Sequence, residues 1–218
     1  MNSFKSYIRN WYYIGGILFV ALSFIVGFFG EVFNPLSRIL TLSFMALLVH
    51  QFEEYALPGG FPAVFNIAWM GEKEYADRYP LNRQSSFIVN VVGGYPFYIL
   101  AILFPNLIWL GLAQVLFGML QFVIHGIVIN MKMKSWYNPG LASVVFLHWP
   151  IGIYYIWYVY AHDLIQPWYW LAGIGLALLA AMVLILLPIQ LLKDENSEYA
   201  FSAEEMARFH VPERMARL

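Results

Sequence analysis

The sequence predicts an all-α fold, a polytopic transmembrane helical bundle of about six spans with both termini cytoplasmic. Three observations carry this expectation. Hydrophobic residues make up 61% of the 218 and charged residues 11%, where a soluble domain spends about 25% on charge. Charge-free stretches recur at the length of about 20 helical residues that crosses a hydrocarbon core of about 30 Å. Finally, the basic residues are one-sided: Lys5, Arg9, Lys73, Arg78, Arg83, Lys132, Lys134, Lys193, Arg208, Arg214 and Arg217 fall on one side of such a bundle and Arg38 alone on the other, which makes the first side cytoplasmic.

The spans follow in order. The first covers residues 11–29; no small-x-small site follows it, so it is read as an uncleaved span rather than a secretory signal. Asn34-Pro35 opens the second, which runs to about Leu57 before Pro58-Gly59-Gly60 stops it. Residues 84–131 carry no charge, too long for one span, and Pro105-Asn106 divides them into a third and a fourth. The fifth covers 136–160 and the sixth 167–192. The bundle thus occupies residues 1–192, with an interfacial helix and loop at about 58–84. Residues 193–218 are expected to form a cytoplasmic amphipathic tail, solvated or lying on the surface. In it, Ser202-x-x-Glu205 is a capping box, and Glu204 and Arg208 pair at i, i+4.

Several functions are excluded at once. Twelve basic and 13 acidic residues nearly cancel, so no electrostatic footprint for nucleic acid exists. There is no cysteine, hence no thiolate nucleophile, Cys-ligated metal or disulfide. Phosphate loops, nucleophile elbows and His-Glu-x-x-His are absent.

What remains is a polar constellation at bilayer depth, where a charge costs about 3 kcal/mol or more. The only carboxylates inside the spans are Glu53 and Glu54, in His50-Gln51-Phe52-Glu53-Glu54. At about 100° per residue, Glu54 lies about 40° from His50 on one side and Glu53 about 60° on the other. That arc can put imidazole and carboxylate on one metal, or an acid and a base around one substrate. His125 lies about 10 Å from the cytoplasmic end of the fourth span, close to the depth of His50, and Gln114, Gln121 and His125 share a face that should look into the bundle. Asn90 reaches a similar depth in the third span. His148 is deeper; it joins the others only if the pocket reaches down or the fifth span is tilted or broken, and Trp149-Pro150 after it favours a kink.

The string His50-x-x-Glu53-Glu54 in the second span, with later intramembrane histidines such as His125 and the turn Tyr137-Asn138-Pro139-Gly140, resembles the bacterial HxxEE-motif integral membrane proteins. The resemblance implies a multi-pass protein of the bacterial inner membrane, suspected to be an enzyme and metal-dependent, without a settled substrate. The CAAX-protease family is matched less well: Arg is missing from the position its Glu-Glu-x-x-x-Arg motif requires, and Phe122-Val-Ile-His125 is one residue shorter than Phe-x-x-x-His.

The expectation that follows is a metal-dependent enzyme, most simply a hydrolase of a lipid or lipidated substrate. His50, His125 and one glutamate, most simply Glu54, would bind a divalent transition metal such as zinc and leave a position for water. The other, Glu53, would be the general base, although the shared arc does not by itself divide their roles. His148 would be a further ligand or oxyanion stabiliser, and Asn90 would orient a ligand. Two alternatives stay open. One is a metal-free acid/base isomerase or cyclase of an isoprenoid or sterol-like substrate, by analogy with sterol isomerases. The other is a transporter or proton conductor. The expected partners are membrane lipids and an apolar or lipid-like small molecule, which aromatic side chains would line.

Overall fold

The computed structural model describes residues 3–217. Six helices are long and apolar enough to cross a membrane: Lys5–Val32, Pro35–Tyr55, Arg83–Leu103, Ile108–Met133, Leu141–Ala161 and Pro167–Leu192. Six crossings return both ends of the described chain to one side, called here the terminal side. The second span enters as expected: Pro35 occupies its first turn, and the Asn34 side chain accepts from the Leu36 amide at 2.9 Å.

The fifth span departs from its expected start. It begins at Leu141 rather than 136, because Pro139 disfavours helix at the residue before it and Gly140 sits at φ +106°. The freed segment of residues 135–140 is a loop that turns back into the bundle.

Packing makes the second span the most enclosed and leaves the first and sixth facing outward. On the far side from the termini, Leu40, Leu48, Tyr98, Leu112 and Tyr155 fill one core. Near the terminal side, Trp11, Phe65, Leu81 and Ile129 fill another. The motif therefore sits on the helix with least access to lipid.

The third to sixth spans each widen into a π-helical stretch: Ile88–Gly94, Val123–Ile129, Val144–His148 and Ala181–Leu186. Such turns are rare, and gather at functional sites. Here the first three carry Asn90, His125 and His148. The stretch ending at His148 precedes Pro150, which has no N–H for the carbonyl four residues back, so the expected break in the fifth span takes the form of a widened turn.

The connection between the second and third spans is ordered. It forms a short helix, Phe61–Ala63 running into Val64–Trp69. The buried Asn66 staples its return, donating to the carbonyls of Ala76 (2.8 Å) and Leu81 (2.9 Å) and accepting from the Leu81 amide (3.0 Å).

The tail packs against the end of the bundle. Its capping box forms, with Ser202 and Glu205 bonded reciprocally, and Arg208 meets Glu204 at 3.1 Å. Yet Phe201 and Val211 are buried, and Glu205 is enclosed between Arg83, with which it pairs, and the Tyr12 hydroxyl at 3.3 Å. Arg208 donates to the carbonyls of Tyr55 (2.7 Å) and Ala56 (3.3 Å) at the end of the second span, where a cation satisfies orphan carbonyls and complements the helix dipole. Its own backbone rests on Gly60, at φ +95°, where a Cβ would collide with it. Amphipathic periodicity fits a lipid surface and a protein surface equally well, and here the apolar face covers the bundle end.

Candidate metal centre

Three helix turns bring His50, Glu54 and His125 together, all buried. His50 Nε2 stands 3.5 Å and His125 Nε2 3.3 Å from the same oxygen, Oε1 of Glu54. Their candidate ligand atoms all lie within 4.8 Å of one another.

The outer nitrogens of both rings are held. His50 Nδ1 faces the Gly140 carbonyl at 3.1 Å, which can only accept, so Nδ1 carries the proton. For His125, Nδ1 meets Asn138 Oδ1 at 2.7 Å. The Asn138 amide nitrogen donates to the His125 carbonyl (2.7 Å) and to Asn130 Oδ1 (2.8 Å), which leaves its oxygen for the ring. Both imidazoles are thereby set with Nδ1–H outward and the Nε2 lone pair inward.

Two lone pairs and a carboxylate oxygen therefore converge in a buried place, with no donor of a described residue bonded between them. A single shared proton satisfies one of these contacts; a cation satisfies all three. Two imidazole nitrogens and a carboxylate oxygen are a donor set zinc accepts, and atoms about 2.0–2.1 Å from a tetrahedral ion lie about 3.3 Å apart, close to the 3.3 and 3.5 Å found. The residues fit a divalent ion, with outer hydrogen bonds that fix the tautomer as metal-bound histidines require. Gly140 is needed between them: a Cβ there would strike both His125 and His50.

Glu53 is placed otherwise than as a base beside Glu54. One helical step turns it 100° away, and its carboxylate caps the fifth span. Oε1 accepts from the Tyr137 hydroxyl (2.9 Å) and the Ala142 amide (3.0 Å). Oε2 accepts from the Ser143 amide (2.8 Å) and hydroxyl (2.6 Å). An anion at a helix N-terminus satisfies orphan N–H groups and meets the positive end of the dipole. Burial and the adjacent Glu53 push the Tyr137 hydroxyl up, which keeps it a donor. Ser143 Oγ also lies 3.0 Å from His50 Nδ1, so Glu53 steadies the His50 ring through Ser143.

The remaining candidates divide. Asn90 lines the cavity beside the centre but touches neither histidine; it accepts from Gln51 at 3.2 Å and donates to Ser86 at 2.9 Å. The orienting role expected of it belongs to Asn138. His148 reaches the cluster, its ring centroid 5.7 Å from that of His50, but is not among the three converging ligands. Both its nitrogens are buried without a partner, and Gly118 makes room for the ring. Gln114 is buried and donates to the Leu40 carbonyl at 2.9 Å, while Gln121 lines the cavity. Asn138, Ser143 and Tyr137 are the contributors that residue chemistry alone missed. Their signal was the Asn-Pro-Gly turn at a span entrance.

The cavity beside the centre has a volume of about 370 Å³. Its walls are mostly apolar and aromatic, including Phe61, Phe65 and Trp69. The polar residues in its lining include His50, Glu54, His125, Ser86, Asn90 and Gln121.

Among known protein families, the model described as "Protein of unknown function with HXXEE motif" matches residues 41–155, 115 of the 218. The match contains every residue of the centre and its supports. Neither the curated proteins nor the solved structures contain a match.

Proposed function

The chain belongs to the family of proteins of unknown function with an HXXEE motif, and on the geometry of that motif we propose that it is a membrane-embedded metal-dependent enzyme. In this reading it is most simply a hydrolase, acting on a lipid or lipidated substrate in the cytoplasmic half of the bilayer. His50, Glu54 and His125 hold a divalent transition metal, most simply zinc. The observation that carries the reading is the convergence of three acceptor atoms, both histidines locked in the metal-facing tautomer, with no donor among them.

The ion would supply Lewis acidity to a carbonyl or phosphoryl oxygen. The chain's own residues do the rest. Glu54 uses one oxygen toward the imidazoles, and its other would take a proton. Asn90 and Gln121 line the cavity, where they can hold a polar group of the substrate. The aromatic and aliphatic walls exclude water and receive its apolar part. Glu53 acts at one remove, by positioning the fifth span and, through Ser143, His50.

Elemental analysis of purified protein tests this directly. Near-stoichiometric transition metal is expected, lost in His50→Ala. Active protein free of metal would overturn the reading and favour acid/base chemistry by the same side chains.

A further inference from the structure

The rim of the cavity is unlike the mouth of a site that fills from water. Its most exposed lining residues, Val123, Leu178 and Leu186, are apolar and lie in the fourth and sixth spans, where the surroundings are lipid. Among the described residues, none that is charged lines the cavity except the buried Glu54. The packing of the sixth span explains the opening. Its outer half, Pro167–Ala180, lies against Ile108–Phe122 of the fourth span, with Gly173 seated on Leu112 and Trp109. Its inner half, Ala181–Leu192, packs instead on the third span. The two helices diverge toward the terminal side, and the cleft between them leads to His125 and Glu54. On the terminal side the cavity is walled by the buried Leu81 and Ile189 and by the folded connection that carries Phe65.

We propose that the cavity is a lipid-chain site filled sideways from the bilayer, through the cleft between the inner halves of the fourth and sixth spans, and that its ligand is a single-chain amphiphile. The chain lies among apolar side chains, where each buried methylene contributes about 0.8 kcal/mol only if it leaves water; a lateral opening spares a membrane-dissolved chain any passage through water. A volume of 370 Å³ is near the low end for small-molecule sites, about 300–1,000 Å³, and suits one chain rather than two. That the polar end meets His50, Glu54 and His125 rests on the metal-centre reading; the lateral route does not.

The test uses the full chain in lipid nanodiscs containing a fatty acid with a diazirine in its tail, photolysed and mapped by peptide mass spectrometry. Labelling is expected at Phe65, Phe117 and Ile189, which are buried and out of reach of lipid outside the bundle. Labelling confined to outward residues such as Leu171, 81% exposed, would overturn the proposal, and this wild-type map decides the matter even if a variant fails to fold. Ala181→Trp, which fills the cleft, should cut interior labelling about tenfold, equivalent to about 1.4 kcal/mol of lost binding. Leu171→Trp should not. Unchanged interior labelling in a folded Ala181→Trp protein would refute the route. Interior labelling is expected to persist in His50→Ala, so loss of the metal and loss of the route are separate results.

Discussion

Neighbouring glutamates with opposite surroundings should respond in opposite ways to the same one-atom change. In Glu53→Gln an amide replaces a carboxylate that accepts from four donors, two on each oxygen. Whichever way it turns, its NH₂ faces one hydroxyl, which can rotate to accept, and one backbone amide, left unsatisfied at a cost of about 1–3 kcal/mol. Loss of an anion from a helix N-terminus adds about 0.3–1 kcal/mol. The sum is about 2 kcal/mol, which at about 2–4 °C per kcal/mol for a chain of this length lowers Tm by roughly 4–8 °C. Glu54→Gln is the reverse case. Its oxygen faces two lone pairs, so an amide N–H can donate to an imidazole, and metal-free protein should be as stable as wild type or more so. Metal affinity, in contrast, should fall by more than the 10- to 100-fold typical of an outer-shell change. Thermal unfolding in detergent with and without chelator, together with metal content by mass spectrometry, reads both effects. Equal loss of Tm in the two variants without metal, or metal retained in Glu54→Gln, would refute this division of labour.

Three further outcomes follow from the same contacts. Asn138→Ala removes the acceptor that orients His125 and should weaken metal binding about 10- to 100-fold, measurable by competition with a chromogenic chelator. His148→Leu removes two buried nitrogens that lack partners and should leave Tm unchanged or raise it, since each unsatisfied group costs about 1–3 kcal/mol; a fall in Tm would mean that the ring has a structural partner. For the tail, burial pushes Glu205 up, but its bonds to Ser202 and the Arg83 charge outweigh that and leave it below 4.5. A carboxyl depressed in the folded state stabilises above its unfolded value and loses that contribution as pH falls from about 4.5 toward the folded value. Hydrogen exchange should therefore show residues 193–217 opening below pH 4.5 and closed at neutrality, and Glu205→Gln should remove that dependence.

Much of this architecture was legible in the chain. Six spans, their turns and the one-sided basic residues depend on local composition and helix length, which the bilayer imposes on each segment separately. The three converging ligands were legible too. His50 and Glu54 share an arc of one helix at i, i+4, and His125 matches their depth, so each could be located along a helix axis without knowing how the helices pack.

Two features could not be read this way. Glu53 and Glu54 lie on the same broad arc, and only the neighbours of the second span separate them: the entrance of the fifth span on one side, the fourth span on the other. Asn138 and Gly140 belong to a turn that periodicity folds into a helix beginning at 136, and they and Ser143, in the first helical turn after it, reach the histidines only because the chain bends back at Pro139-Gly140. The tail is the same lesson at larger scale, since an apolar helical face does not name the surface it covers. Composition and span length alone say which residues are polar at bilayer depth and how far along each helix they sit. Rotation about each axis, and the identity of the facing helix, are set by contacts between segments distant in the chain, and these decide which carboxylate joins the two imidazoles and which holds a helix.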